Sequence, residues 1–480
     1  MSGVIVCTCS GGAAKRTATG WTGWTVRTTW LAPRRRAPAG LGHPARSVVL
    51  GFGAAVLLGT VLLTLPAATE SGASAGVVTA LFTATSAVCV TGLVVVDTAT
   101  HWSPFGEVVL LGLIQAGGLG IMTLATLLGM LVARRMGLRL QLTAQAETKA
   151  GGLGEVRGVV RRVIAISLAA EAVTAIVLTL RFATGYDLSW GRAVYEGVFH
   201  GVSAFNNAGF ALYATSMTPY ATDPWITVPV MLAIITGGLG FPVLFELGRR
   251  LRGRLRRWTL HARVTLMTYA ALLVFGVVAI TAIEWSNPAT LGPLGVPGKL
   301  LVGAFHGVNP RTAGFNSLDV AQLTPASLLV TDFLMFIGGG SAGTAGGIKV
   351  TTFALLAFVI AAEIRGEPSV HVLGRRLSAE VQRQALTVAL LGVGAVAAST
   401  FALLLITGFP LDAVLFETIS AFGTVGMSTG ITAAIPPAGQ VLLAVLMFIG
   451  RLGPITLAAA LALRERARRY ELPEERPIVG

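Results

Sequence analysis

Thr79-Ala-Leu-Phe-Thr-Ala-Thr-Ser86-Ala-Val-Cys-Val90-Thr91-Gly92-Leu93 is too short to cross a bilayer, yet apolar segments flank it on both sides. A span needs roughly 20 apolar residues, and this amphipathic piece offers about half of that. Backbone that ends at membrane depth must be satisfied inside protein or along a watery cavity. A half-length helix followed by an extended segment with a glycine suits a cation filter. Carbonyl oxygens replace water around the ion, and the negative end of the helix dipole faces it.

The motif recurs. The second copy runs Phe199-His-Gly-Val-Ser203-Ala-Phe-Asn-Asn207-Ala208-Gly209-Phe210. The third is Phe305-His-Gly-Val308-Asn-Pro-Arg311-Thr312-Ala313-Gly314-Phe315, and the fourth Phe416-Glu-Thr-Ile-Ser420-Ala-Phe-Gly-Thr424-Val425-Gly426-Met427. The glycines stand about 110 residues apart, which reads as an internal fourfold repeat. Ser86, Ser203 and Ser420 hold one place ahead of the glycine, where the third copy has Val308.

Composition agrees with a membrane setting. The chain has 480 residues, 54% of them hydrophobic and 12% charged, with 59 glycines, and its mean hydropathy is +0.74. A net charge of +14 would raise nucleic-acid binding in a soluble protein. Here the basic residues gather at the ends of apolar spans, so topology accounts for them and nucleic acid is not expected. Three cysteines (Cys7, Cys9 and Cys89) make no disulfide framework.

Each repeat reads span, pore loop, span. First spans are expected at 47–69, 157–184, 262–285 and 380–409, and second spans at 104–133, 224–248, 325–364 and 436–463. The fold class is therefore an all-α polytopic membrane protein of eight spans around one pseudo-fourfold central pore. Pore repeats occupy 47–139, 157–257, 262–376 and 380–469. Residues 1–46 read as a disordered cytoplasmic tail without a signal-peptide pattern, and 470–480 as a C-terminal tail. Arg134, Arg135 and Arg139 follow the first repeat, with similar clusters after the others, while Glu70, Asp97, Asp319 and Asp412 lie in the opposite loops. The positive-inside rule then puts both termini in the cytoplasm of a plasma-membrane protein.

Each second span carries a glycine-rich break: Gly117-Gly118-Leu-Gly120, Gly237-Gly238-Leu-Gly240, Gly338-Gly339-Gly340-Ser341 and Gly450-Arg451-Leu-Gly453. In the first two copies glycine is expected to let helices approach closely. The third continues through Ala342-Gly343-Thr344-Ala345-Gly346-Gly347, a run without a bulky side chain that no ordinary helix chooses. It should unwind at membrane depth and line the pore. A phosphate loop is excluded, because Lys349 neither follows a glycine directly nor precedes Ser or Thr.

Phe82–Thr98 (FTATSAVCVTGLVVVDT), FNNAGF, NPRTAGFN and GTVGMSTG at the filters, with GGGSAGTAGGIK in the third second span, resemble the potassium transporter superfamily of TrkH, KtrB and HKT proteins. The KtrB type, membrane subunit of a Ktr-type K+ uptake system, is the nearest match. TrkH-type chains carry two further N-terminal spans, for which residues 1–46 are too short and polar. The resemblance implies a fourfold pseudosymmetric pore per chain, a homodimer in membrane lipid, and a cytosolic RCK-type nucleotide-binding ring (KtrA/TrkA-like) that controls opening. This chain contains no dinucleotide-binding βαβ unit, so no nucleotide is expected on it.

The transported ion is expected to be K+, with Na+ the alternative. Its ligands are carbonyls of Val90-Thr91, Asn207-Ala208, Thr312-Ala313 and Thr424-Val425, with Gly92, Gly209, Gly314 and Gly426 turning them inward. Asn206 and Asn207 brace the second filter. Arg311 should point behind the third filter and pair with a carboxylate, either Glu171 or Asp332. Arg451 stands where earlier copies have Gly118 and Gly238, and it is expected to meet free carbonyls of Gly338–Gly347 as a gate. Charge at this depth is costly, so its retention suggests a role. No catalytic constellation appears among the six histidines. The alternatives are a Na+-permeable or Na+-coupled transporter of the same fold, or a secondary transporter, whose broken helices come in inverted repeats.

Overall fold

Four times the chain follows a long apolar helix with a short one, an extended turn and a further helix. The computed structural model describes residues 44–135, 153–253 and 257–453. The expected C-terminal tail, nearly all of the N-terminal one, and several basic residues, among them Arg139 and Arg464, lie outside the described residues.

The first helices of the four units are Pro44–Thr64, Leu153–Gly185, Leu260–Glu284 and Ala379–Ile406. The short helices are Val77–Cys89, Trp190–Asn206, Val296–Val308 and Leu411–Gly423. By length and composition, three described helices are long and apolar enough to cross a membrane, and a bent pair makes a fourth when counted as one span. Leu57, Val173, Ile176, Leu390, Phe401 and Leu405 stand exposed on the outside of these helices. Such a surface suits lipid and would be a liability in water.

Capping starts several helices where apolar sequence begins. Asp223 accepts the Trp225 N–H at 2.9 Å, and Thr259 accepts the Ala262 N–H at 3.2 Å, each satisfying a donor that the first turn leaves free. Phe82, Phe199, Phe305 and Phe416, one from each short helix, are buried to 1% exposure or less. They wedge the short helices into the surrounding longer ones.

The final helices of the units differ from one another. In the first unit Pro104–Arg135 runs unbroken through Gly117–Gly120. In the second the helix stops at Leu239 and restarts at Phe241, bent by 106°. Within the span expected over 224–248, Gly240 sits at φ +89° and ψ 143°, which ends one helix, and Pro242 lies in the first turn of the next. In the third, Pro325–Phe336 and Val350–Ile364 flank an unwound segment. In the fourth, Pro437–Leu452 ends at Gly453 with φ +81° and ψ 138°, much as at Gly240. Within the span expected over 436–463 the described helix ends at Leu452, and 454–463 lie outside the described residues. Among the described residues, one antiparallel hairpin, with His371 opposite Arg376 and Val372 opposite Arg375, departs from the all-α reading.

Candidate ion filter and gate

Three of the short helices end alike. The Val90 N–H donates to the Ala87 carbonyl at 3.1 Å and the Thr91 N–H to the Ser86 carbonyl at 2.7 Å. Asn207 with Ala208, and Thr424 with Val425, repeat this pair of bonds onto Ala204 and Ser203, and onto Ala421 and Ser420. This is a Schellman ending, which ordinarily places glycine at its left-handed position. Here Val90 (φ +56°), Asn207 (φ +59°) and Thr424 (φ +49°) occupy it, and Thr312 (φ +74°) takes the same place in the third copy. Left-handed β-branched residues are outliers, and such strain of about 1–3 kcal/mol concentrates at functional sites. Each filter therefore holds two left-handed residues, this one and the glycine two places on. Sequence reading found only the glycine, because Val and Thr give no left-handed signal.

The four glycines close a circle. A β-carbon on Gly92 would strike the Ala208 carbonyl, and one on Gly209 would lie 2.8 Å from the Ala313 carbonyl. On Gly314 it would strike the Val425 carbonyl, and on Gly426 the Thr91 carbonyl, which returns to the start. The four expected carbonyl-bearing segments thus meet edge to edge, with room for backbone alone. A cavity of about 320 Å³ opens over them, lined by Gly92, Gly209, Gly314 and Gly426 and by residues such as Asp97 and Ser428.

Side chains behind the ring hold the turns. Ser86 Oγ accepts the Gly92 N–H at 3.0 Å and Ser420 Oγ accepts the Gly426 N–H at 3.1 Å. Ser203 instead donates to the Phe210 carbonyl at 2.8 Å. The third copy, with Val308 at the serine position, uses Asn309, whose Oδ1 accepts the Phe315 N–H at 2.9 Å. Asn206 Nδ2 donates to Gln115 Oε1 at 2.9 Å and to Glu171 Oε1 at 3.1 Å. Asn207 Nδ2 donates to the Arg311 carbonyl at 3.2 Å.

Arg311 turns away from the cavity, as its charge requires, but the expected carboxylate partner is corrected. Glu171 is engaged by Gln115 and Asn206, and among the described residues no ion pair joins Arg311 to it or to Asp332. The guanidinium carbon lies 5.8 Å from the centre of the Tyr269 ring, and Nη1 donates to the Ile337 carbonyl at 3.2 Å. An aromatic face and the carbonyl at a helix C-terminus supply the negative potential instead.

The glycine run from Gly338 to Gly347 is unwound and docks on the second unit's bend. The Gly340 N–H donates to the Gly238 carbonyl at 2.8 Å, the Thr344 N–H to the Gly237 carbonyl at 3.2 Å, and the Phe241 N–H to the Ala342 carbonyl at 3.3 Å. Backbone freed by the bend is satisfied by the loop, and the loop by the bend. Arg451 Nη1 donates to the Thr344 carbonyl, and Nη2 to the Gly117 carbonyl at 3.3 Å. Lys349 Nζ donates to the Ala345 carbonyl. A β-carbon on Gly346 would strike Thr424 Oγ1, so the loop lies directly against the end of the fourth short helix.

A family model described as the TrkH cation transport protein matches residues 34–469. Ktr system potassium uptake protein B of Bacillus subtilis is 38% identical over 424 residues, covering 88% of this chain and 94% of that protein. The protein of the same name from Vibrio alginolyticus is 36% identical, covering 95% and 99%. The crystal structure of the potassium transporter TrkH from Vibrio parahaemolyticus superposes with a TM-score of 0.71 at 18% identity, covering 90% of this chain and 87% of that one. At that identity the likeness speaks for the fold.

Proposed function

Because this chain belongs to the TrkH family of cation transport proteins, we propose that it conducts K+ into the cytoplasm through the ring of filter carbonyls. The observation that carries this reading is the closed circle of Gly92, Gly209, Gly314 and Gly426, each set against its neighbour's carbonyl. Dehydrated K+ needs oxygen ligands from several directions at once, and four backbone segments around one axis supply them. The ligands are the carbonyls of Val90-Thr91, Asn207-Ala208, Thr312-Ala313 and Thr424-Val425.

In this reading the repeats 47–139, 157–257, 262–376 and 380–469 surround one pseudo-fourfold pore with eight spans, one of them bent at Gly240 and one unwound over Gly338–Gly347. Both termini face the cytoplasm, in keeping with the basic clusters at the span ends. The membrane potential drives uptake, contributing ~2.3 kcal/mol per charge per 100 mV. The loop Gly338–Gly347 with Arg451 is the gate in this reading, supported by the bond from Arg451 to the Thr344 carbonyl of the unwound loop. Two chains form a dimer, and a cytosolic RCK-type ring opens the gate by drawing on the third unit's last helix. The family relatives named as parts of a Ktr system support a separate partner.

Uptake in cells that lack their own K+ systems tests the proposal, with and without a co-expressed RCK subunit. Growth at low K+ and Rb+ uptake are expected with both present. Neither rescue nor Rb+ flux, despite confirmed insertion, would overturn it.

A further inference from the structure

The residue just before the left-handed position is Cys89, Asn206, Arg311 and Gly423 in the four filters. Cys89 packs in an apolar cluster, Asn206 joins Gln115 and Glu171, and Gly423 has no side chain. Among these four positions, only the Arg311 side chain hydrogen-bonds the foot of the unwound loop, whereas Gly423 meets the loop by backbone packing. We infer that Arg311 is a positioning residue that transmits the state of this loop to the third filter, so that ion discrimination depends on whether the gate is closed. The inference rests on the gate reading above.

Ile337, whose carbonyl receives Arg311, is one side of the neck from which the loop springs. It lies opposite Ile348 in a parallel bridge. The neck is closed by the Gly338 N–H on the Ile348 carbonyl at 2.8 Å, the Ile348 N–H on the Phe336 carbonyl at 3.3 Å, and the Val350 N–H on the Gly339 carbonyl at 3.0 Å. Loop movement that disturbs this neck displaces the Ile337 carbonyl. The guanidinium's other support answers to the loop as well. A β-carbon on Gly238 would lie 3.0 Å from the Tyr269 hydroxyl, and the Gly238 carbonyl is the one that accepts the Gly340 N–H.

At its other end Arg311 is continuous with Thr312, the left-handed residue of the filter, and its own carbonyl accepts from Asn207 of the second filter. Nε and Nη2 have no hydrogen-bond partner among the described residues. A cation retained merely to fill space would be replaced at no loss by an apolar side chain. One that spans two moving parts needs its reach and its directional donor.

A double-mutant cycle on the full chain, without the cytosolic partner, tests this. Rb+ and Na+ fluxes are measured in competition for wild type, Arg451→Ala, Arg311→Lys and the double variant. Lysine keeps the charge but cannot lie flat on Tyr269 while donating to Ile337. Releasing the loop with Arg451→Ala should change the Rb+/Na+ ratio when Arg311 is present and leave it unchanged in the Arg311→Lys background. The expected non-additivity is about fivefold or more in the ratio, the size of an ordinary coupling between sites. If the two changes multiply independently, Arg311 is a static brace and the inference is overturned. Failure of the gate reading looks different, since Arg451→Ala would then leave total flux at the wild-type level. Should Arg311→Lys not insert, Tyr269→Leu removes the ring beneath the guanidinium and must abolish the same dependence. An additive result there overturns the inference equally.

Discussion

Arg451 and Thr344 are joined by a guanidinium-to-carbonyl hydrogen bond that ties the last described helix to the tip of the unwound loop. The same guanidinium reaches the Gly117 carbonyl at 3.3 Å, so one side chain fastens three units together. Bonds from a charged donor are worth about 1.5–3 kcal/mol each. Arg451→Ala or Arg451→Gln should therefore raise Rb+ flux without the cytosolic partner by roughly ten- to a hundredfold, on the same free-energy scale. Flux no faster than wild type in a normally inserted variant would remove Arg451 from the gate.

Gly314→Ser should weaken discrimination of K+ from Na+. Its φ of +72° suits glycine, and a β-carbon there would strike the Val425 carbonyl. Left-handed strain adds about 1–2 kcal/mol for any other residue. The outcome is read as the Rb+/Na+ ratio in competition uptake; an unchanged ratio would mean that the carbonyl circle does not set selectivity.

Much of this site was legible in the sequence for a physical reason. Ion ligation by backbone leaves side chains free to vary but demands glycine where four strands crowd one axis, so Gly92, Gly209, Gly314 and Gly426 stand out in register. Gly338–Gly347 was legible because no helix favours ten small residues, and Arg451 because a lone charge buried in an apolar stretch needs carbonyls. The bend at Gly240 had a sequence signal outside the tetrapeptide. Gly117-Gly-Leu-Gly120 and Gly237-Gly-Leu-Gly240 are the same tetrapeptide, yet the first is unbroken helix and the second bends by 106°. Pro242 stands where the first copy has Met122, and it cannot donate to the Gly238 carbonyl. The docked loop then satisfies the freed carbonyls with its own N–H groups. Arg311 misled for a related reason: sequence offers carboxylates as candidates, whereas the structure uses the Tyr269 ring and the Ile337 carbonyl.

Ser86→Ala should loosen the first filter. The Gly92 N–H would lose its 3.0 Å acceptor in a fully buried place, at a cost of about 1–3 kcal/mol. Ser420→Ala should do the same at Gly426. In both variants the Rb+/Na+ ratio should fall and thermal stability in detergent should drop. Wild-type values for both measurements would show that the serines are dispensable.

Gly240→Ala provides the sharpest contrast with its twin in the first unit. At φ +89° and ψ 143°, Gly240 lies near backbone territory that is essentially glycine's own, where another residue costs of order 1–3 kcal/mol. Its β-carbon would also strike the Ser341 carbonyl inside the docked loop. Pro242 has no N–H to take the Gly238 carbonyl, so the helix cannot straighten. Alanine must instead shift the backbone at the bend and displace the Gly237 and Gly238 carbonyls that receive Thr344 and Gly340. The loop loses its seat, so Rb+ flux without the partner should rise. Gly120→Ala in the identical tetrapeptide comes no nearer than 3.8 Å to Phe52 among the described residues, ordinary contact within a continuous helix, and should leave flux unchanged. Equal behaviour of the two variants would mean that the bend does not hold the gate closed.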